Sequence, residues 1–455
     1  MNFHITTKKY SVDFLENCVQ YENLYIYFDG TVEYTESTNF ISLFTGILWS
    51  GTLEGVPNGQ FYSVKINKNY KIIEVITDFI EDFPIYYLVE DNTFILTNML
   101  ISFPPKKHAV NHTYINKVIE DRSYGRGFYP SLNKQNLNNV NATIFNNVNK
   151  ISAFSKVYFN FKGKIKNTLT YLPKNYFLDS FISKYSFDDA RDITKENLSS
   201  NLKKLCSNML FLCGSGIDSV ILKELKPTLK SISYSGDWWQ REIILNPTHS
   251  FTKSEYINAC EQEFINWNTT ARGIDLAIET HVLKLYSDYE ILTGTYGDEI
   301  FWHDPYGAMA VYIFKTKNKA DYNSYVDFIS DKYSNLITTW TEDIFYEIKN
   351  YPSFEEAMTS RLYYRGSYLK ESRVLSNKLL ISPYIDLRLR TLLNSCDTDT
   401  QIRSAFNAEL QFSLIADTTK VNKIKAGAQE GSDILAISRE TLLKNFLKNY
   451  IKFHK

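Results

Sequence analysis

The chain has no apolar run approaching the ~18 residues that a membrane-spanning helix needs. Its N-terminus, MNFHITTKKYSVDF, lacks the long apolar stretch of a secretory signal. Neither a membrane partner nor a signal peptide is therefore expected. Charge of one sign is also missing: 50 basic residues meet 51 acidic ones, for a formal net charge of −1. That balance gives no general electrostatic reason to bind nucleic acid or an anionic membrane, although a local basic groove stays open. Cysteine is scarce. Cys18, Cys206, Cys213, Cys260 and Cys396 are scattered, odd in number, and form no CxxC or Cys/His metal spacing. This usage suits buried thiols in a reducing cytoplasm. No internal repeat is found.

What is present is enough apolar matter for sizeable cores. The 455 residues are 44% hydrophobic, and at roughly 100–200 residues per domain two or three domains are expected. Residues 1–100 read as β-rich. LYIYFDG, GQFYSVKINKN, KIIEVITDF, IYYLVEDN and TFILTNM are short, aromatic and β-branched, and Gly, Asn and Asp punctuate them. SFPPKKHAVNH interrupts the pattern, and VYFNFKGKIKNTLTYL reads as a hairpin turning at Lys162-Gly163. The composition shifts near residues 175–185, giving expected domains at 1–180 and 181–455. Beyond that point DDARDITKENLSSNLKKLC has helical spacing, MLFLC is a buried strand, and DSVILKEL starts a helix that Pro227 ends. LKSISYSG is a second strand. ACEQEFINWNTTARGIDLAIETHVLKLYS is helical with a break at Gly273, YEILTG is a third strand, and from 320 onward the chain reads mostly helical. Strands alternating with helices imply a parallel sheet.

The loop in LFLCGSGIDSVIL carries the first chemical signal. Gly214, Ser215 and Gly216 follow a strand, and a helix begins near Asp218. Backbone N–H groups at such a junction converge, the helix dipole adds positive potential, and Ser215 and Ser219 add hydroxyls, which suits a phosphate. Neither GxxxxGK nor GxGxxG is present. A plain strand-to-helix turn accounts equally for a lone Gly-Ser-Gly. Asp218, however, would repel a phosphate unless a cation such as Mg²⁺ lies between them. ILTGTYGDEIF repeats the form, with Asp298 and Glu299 at a helix start. Parallel sheets bind ligands at the carboxyl ends of their strands, so two such loops would bring Asp218 and Asp298 together. The competing reading of Asp298 and Glu299 is simple complementation of a helix dipole.

These residues resemble those of a known family. GSGIDS resembles the SGGxDS pyrophosphate loop of asparagine-synthetase-like enzymes, and TGTYGDEIF their SGxGxDExF loop. LLISPYIDLRLRTLL resembles VRVPFLD with its following helix, and KIKAGAQ resembles RxKxG. NGQFYSVKI, Asp78 and FPIYYLVEDNTFILTNM resemble the family's amidotransferase-type domain, so the likeness spans most of residues 50–430 in the family's order. The resemblance implies an α+β N-terminal sandwich of the Ntn-hydrolase type, then an α/β pyrophosphate-loop domain with a helical C-terminal part. The family includes asparagine, β-lactam and carbapenam synthetases and lasso-peptide cyclases. It implies activation of a carboxylate by ATP as an acyl-adenylate, release of pyrophosphate, and attack by an amine.

The sequence departs from the pattern in three respects. The family's glutaminase uses a cysteine directly after the initiator Met, where this chain has Asn2, so glutaminase activity is expected to be absent. Gly214 and Ser215 exchange the order of Ser and Gly in the pyrophosphate loop. Thr295 stands where asparagine synthetases have Glu, and Tyr296 lies one position beyond the tyrosine with which β-lactam synthetases help deprotonate an amine.

By resemblance, Gly214, Ser215, Gly216 and Ser219 would hold the β,γ-phosphates of ATP, with Gly294 in the facing loop. Asp218 and Asp298 would hold Mg²⁺, and Ser233 and Tyr234 would flank adenine. Lys425 would stabilise charge at the acyl centre or pyrophosphate, with Glu299 and Tyr296 as further catalytic candidates. Asp386 is expected to bond nearby backbone. Glu371 and Asp237 as acid/base groups, His108 and His112 as metal ligands, and Trp238 and Trp239 as cleft walls are weaker readings than surface charge or packing. The expected partners are a small-molecule or peptide carboxylate and an amine, and a homodimer is compatible with the sequence. The alternatives are ammonia-dependent asparagine synthesis and a non-catalytic nucleotide-binding relic.

Overall fold

The computed structural model describes residues 2–9, 15–53, 56–80, 83–90, 92–103, 111, 143, 145–151, 154–170, 185–205, 208–213, 216–236, 249–252, 285–286, 288–303, 305–316, 321–333, 341–354, 357–358 and 380–416. The first half carries β1 (Phe3–Thr6), β2 (Asn17–Tyr21), β3 (Leu24–Phe28), β4 (Glu33–Glu36), β5 (Phe40–Leu53) and β6 (Val56–Asn67). It continues with β7 (Ile72–Thr77), β8 (Tyr86–Glu90), β9 (Thr93–Thr97), β10 (Asn149–Lys150), β11 (Ser155–Asn160) and β12 (Ile165–Thr170). These pair into two six-stranded sheets of order β10-β8-β9-β1-β3-β2 and β12-β11-β7-β6-β5-β4. Every pairing in both is antiparallel.

Period-two patterning explains how the sheets meet. Alternate residues of a strand face opposite sides, and β7 buries Ile73, Val75 and Thr77 while its intervening residues are half-buried. Phe3, Ile5, Ile26, Phe94 and Leu96 of the first sheet share one core with Ile41, Leu43, Val64, Ile73 and Val75 of the second. The other face of the first sheet is also covered. Tyr27, Tyr86, Leu88 and Ile95 belong to a second core, which runs without a break into Leu210, Phe211, Ile291 and Leu292 of the chain's other half. Two covered faces explain why all five residues of β9 are buried.

His4 lies on β1, fully buried, with Nδ1 3.1 Å from Ser102 Oγ. Burial pushes its pKa down from 6.5 to about 3. Between those values the unfolded chain binds a proton that the folded chain refuses, so stability falls as pH drops below 6.5 and is unaffected above it. This residue alone should contribute a loss of about 2 kcal/mol between pH 7 and pH 5. Urea unfolding of His4→Gln at both pH values should show a correspondingly smaller difference than wild type; equal differences would remove His4 from the acid response.

The second half opens with α1 (Phe187–Lys203), whose start is a reciprocal Ser186–Asp189 capping box. It continues with β13 (Met209–Leu212), α2 (Ile217–Leu225), β14 (Ser231–Ile232), β15 (Tyr234–Gly236), β16 (His249–Phe251), β17 (Glu290–Thr293) and α3 (Gly297–Ile300). Then follow α4 (Pro305–Lys315), α5 (Tyr322–Tyr333), α6 (Thr341–Lys349), β18 (Leu380–Ile381), α7 (Leu387–Leu392), α8 (Thr398–Asn407) and α9 (Glu409–Phe412). A four-stranded sheet of order β14-β13-β17-β18 is parallel throughout. The protein thus combines antiparallel sheets with a helix-bearing parallel sheet.

One element differs from expectation. LKSISYSG is two short strands: Ser231–Ile232 pairs with β13, whereas Tyr234–Gly236 pairs with β16. The chain leaves the parallel sheet at Ser233, so the residues beyond it belong to a separate ribbon. β5, fourteen residues long, went unread because buried Thr45 and half-buried Phe44 invert the usual polarity of its two faces. The expected helix over residues 259–287 lies outside the described residues apart from its end. Among the described residues no helix is long and apolar enough to cross a membrane.

Candidate functional site

Register decides what stands at the carboxyl edge of the parallel sheet. Leu212 of β13 lies level with Thr293 of β17 and with Ile232 of β14, and Leu292 lies level with Ile381. The chain therefore leaves the sheet at one level at Cys213, Ser233 and Gly294, and one residue short of that level at Ser382. This is the edge where open parallel sheets receive ligands.

The two acid-bearing loops meet there. Asp218 sits in the first turn of α2, whose N-cap, Gly216, has no side-chain cap. Its Oδ2 accepts the Asp298 backbone N–H at 3.1 Å. Gln411, on α9, donates its Nε2 to Asp218 Oδ1 and to Asp298 Oδ1, each at 3.2 Å. Residues far apart in sequence thus bring two carboxylates within reach of a single amide. The approach is close enough to require glycine. A Cβ on Gly297 would stand 2.1 Å from Asp218 Cγ, and one on Gly294 would stand 3.0 Å from both the backbone N and the Oγ of Ser219.

Three side chains hold this arrangement from behind. The Tyr384 hydroxyl donates to the Asp218 carbonyl at 2.8 Å. Burial, followed by the charges of Asp218 and Asp298, holds that phenol well above its ordinary pKa, so it remains a donor. Ser382 Oγ donates to the Thr295 carbonyl at 2.5 Å. Gln60, from β6 of the first half, accepts the Ser382 N–H at 2.6 Å and donates to the Leu380 carbonyl at 3.2 Å. The antiparallel half therefore braces the loop that carries Asp298.

Three residues in the elements around this edge have left-handed backbone, as do five in the first half. Tyr296, Trp302 and Ala408 have φ of +77°, +63° and +50°, a region that costs non-glycine residues on the order of 1–3 kcal/mol each and persists where surrounding structure demands it. Ala408 both closes α8 and opens α9 in this conformation, which aims Gln411 at the carboxylates. The Tyr296 side chain lies in the core shared by both halves and is 5% exposed.

Of the sequence-derived candidates, Asp218, Ser219, Gly216, Gly294, Tyr296 and Asp298 are gathered at this edge, and Ser233 is buried at the end of β14. Glu299 lies in α3 and Tyr234 in β15, with their side chains outside the described residues. Gly214, Ser215, Lys425, Asp237, Trp238, Trp239, Glu371, His108 and His112 lie outside them altogether. Asp386 does bond nearby backbone, accepting the Arg388 N–H at 2.8 Å as the cap of α7. It also bonds Asn58 and Asn201, far away in sequence.

No family model matches the chain, and no curated protein does. The site is therefore judged on its own donor set. Among the described residues no group of three or more His, Cys, Asp and Glu side chains converges. Two carboxylates suit Mg²⁺, which binds through one or two protein carboxylates and takes further oxygens from phosphate and water. Cys213, beside the first loop, is unsuited to nucleophilic work, because burial pushes its pKa up to about 11 and keeps the thiol protonated. Sequence reading missed Gln60, Ser382, Tyr384 and Gln411. The first three lie inside quoted motifs, but nothing local marks Gln411 in NAELQFSL.

Proposed function

We propose that the protein is an ATP-dependent carboxylate–amine ligase that forms an amide through an acyl-adenylate and releases AMP and pyrophosphate. The observation that supports this reading is the convergence of Asp218 and Asp298 at the carboxyl edge of adjacent parallel strands, within reach of one amide. The parallel sheet with its glycine- and serine-bearing loop is read as a pyrophosphate-loop domain, and the paired antiparallel sheets as an amidotransferase-type domain of the Ntn class. Asn2 gives that domain no nucleophile; its side chain is an amide, and its backbone N–H donates to Asp29 Oδ2 at 2.7 Å. Glutamine hydrolysis is accordingly not part of the proposal, and the amine comes from the substrate.

In this reading the substrate carboxylate attacks the α-phosphorus of ATP, the bond to the bridging oxygen breaks, and pyrophosphate leaves. The amine then attacks the acyl carbon, loses a proton and expels AMP. Gly214, Ser215, Gly216 and Ser219 cradle the β,γ-phosphates at the start of α2, where converging N–H groups favour anions. Asp218 and Asp298 are the residues that would hold Mg²⁺, which supplies charge neutralisation to the departing pyrophosphate. Ser233 and Tyr234 flank the base, and Gly294 lets the second loop close on the first. By the resemblance, Lys425 would offset charge at the acyl centre, with Glu299 and Tyr296 as candidates for the amine step.

ATP–pyrophosphate exchange with Mg²⁺ and pooled amino acids and small carboxylates tests the proposal. Exchange should appear with some acid in the pool and fall by at least about 10³-fold in Asp218→Ala, because positioned charge at a transferring phosphate is worth several kcal/mol. Failure of the wild-type protein to bind ATP at all would refute the ligase reading.

A further inference from the structure

Gln411 carries an inconsistency that a bound cation would resolve. The side chain is completely buried. Its Nε2 bridges Asp218 Oδ1 and Asp298 Oδ1 at 3.2 Å each, while its Oε1 is buried with no hydrogen-bond partner. A buried amide normally satisfies both ends. Here one end meets two carboxylates and the other meets nothing. A half-turn about Cγ–Cδ exchanges the two ends without moving the backbone. With nothing between the carboxylates that turn is unfavourable, since it would face a carbonyl oxygen towards two anionic oxygens. With a divalent cation there it becomes favourable, since the cation attracts all three oxygens.

The spacing fits. Oxygens about 2.0–2.1 Å from an octahedral ion stand about 2.9–3.0 Å apart at adjacent vertices. The Gln411 nitrogen is 3.2 Å from each carboxylate oxygen, so its position is within a few tenths of an ångström of such a vertex. The segment that presents it is built for placement rather than for helix stability. α9 has only four residues and starts from left-handed Ala408, and its neighbour Leu410 is buried.

We propose that Gln411 is the third protein ligand of a divalent cation held by Asp218 and Asp298, and that its amide reverses when the ion binds, from a donor bridging the carboxylates to a carbonyl ligand. The inference rests on the ligase reading only for the identity of the ion as Mg²⁺. It goes beyond that reading in assigning a neutral, conformationally switched ligand that the carboxylate motifs do not contain. Because the amide NH₂ group and the ion compete for the same two oxygens, Gln411 also keeps the acidic pair together before the ion arrives.

Mn²⁺ alone is the probe, titrated into the full-length protein without nucleotide and followed by loss of the free-ion paramagnetic resonance signal. Wild type should bind one ion at this site, and Asp298→Asn should abolish that binding. Gln411→Leu, of similar bulk and without a donor or acceptor, should weaken it about tenfold or more. Circular dichroism and a cooperative melt establish that this variant is folded. Gln411→Glu supplies an oxygen that needs no reversal and places a third carboxylate against the other two. It should bind Mn²⁺ tighter than wild type, melt at a lower temperature without the ion, and gain more melting temperature from Mn²⁺ than wild type does. An affinity of Gln411→Leu within twofold of wild type, with binding still lost in Asp298→Asn, would overturn the role of Gln411, whatever Gln411→Glu does, and leave the ligase reading intact. No Mn²⁺ binding by the wild-type protein at millimolar concentrations would overturn the cation site itself, and pyrophosphate exchange would then show separately whether the ligase reading survives.

Discussion

Gly297→Ala should abolish pyrophosphate exchange while the protein stays folded. The added Cβ would lie 2.1 Å from Asp218 Cγ and 2.2 and 2.5 Å from its carboxylate oxygens. That carboxylate is short and is held by the Asp298 N–H and the Gln411 amide, so relief comes only by pushing the two loops apart. Displacements of about 1 Å at a reacting centre cost on the order of 10²-fold in rate, and the substitution breaks the contact that pairs the acids. The expected loss of exchange is therefore 10²-fold or more. Stability should change little by comparison. Overpacking costs about 1–3 kcal/mol, while replacing glycine by alanine in a helix returns about 0.5–1 kcal/mol. Gly294→Ala is the graded control, since its Cβ meets Ser219 at 3.0 Å, and its loss should be nearer tenfold. Exchange rates and urea midpoints measured on the same preparations decide the matter. Wild-type exchange in Gly297→Ala would mean that the close approach of the two loops is irrelevant to activity.

Asp386→Ala should be among the most destabilising single substitutions in the chain, at about 3–5 kcal/mol. The carboxylate is completely buried. It accepts Asn58 Nδ2 at 2.9 Å, Asn201 Nδ2 at 2.8 Å and the Arg388 N–H at 2.8 Å, and it pairs with the Arg388 guanidinium, whose Nε lies 3.0 Å away. Removing it strands several buried donors and a cation at once, and each group left unsatisfied carries its own desolvation cost. Asn58 also fixes the start of α7, its Oδ1 accepting the Leu387 N–H at 2.9 Å, and Trp49 Nε1 donates to the Ile385 carbonyl at 2.5 Å. The network therefore joins the antiparallel half to the parallel half. Denaturant unfolding of Asp386→Ala should show a lower midpoint and a split into two transitions. Asp386→Leu combined with Asn58→Leu should cost less than the sum of the two, because contacting partners are not additive. A single unshifted transition in Asp386→Ala would show that the Asp386 network contributes nothing to joining the halves.

Much of the local structure was legible. The aromatic and β-branched segments at LYIYF, IIEVIT, YYLVE and TFILT are β3, β7, β8 and β9. The hairpin turns at Gly163, whose φ is +79°. Pro227 follows the end of α2, as a residue without an N–H requires. These readings succeed because side-chain periodicity and turn chemistry act over a few residues. They failed at LKSISYSG because pairing partners, not propensity, determine where one strand stops and another starts. They failed at β5 because its apolar residues occupy both faces.

The acids of the candidate site were legible one at a time and as an expected pair. Strand–glycine–acid patterns at residues 210–218 and 291–298 announce two helix starts at the edge of a sheet. Whether those edges are neighbours depends on strand order, β14-β13-β17-β18, which is fixed by the packing of whole layers and leaves no short-range trace. The same holds for Gln411, aimed by one left-handed alanine, and for Gln60 and Asn58, whose partners Ser382 and Asp386 lie more than 300 positions away in sequence. Sequence specified which groups were available and what local backbone carried them. Folding specified which of them touch, because burial in a shared core and the satisfaction of buried polar groups are properties of the assembled layers and of no single segment.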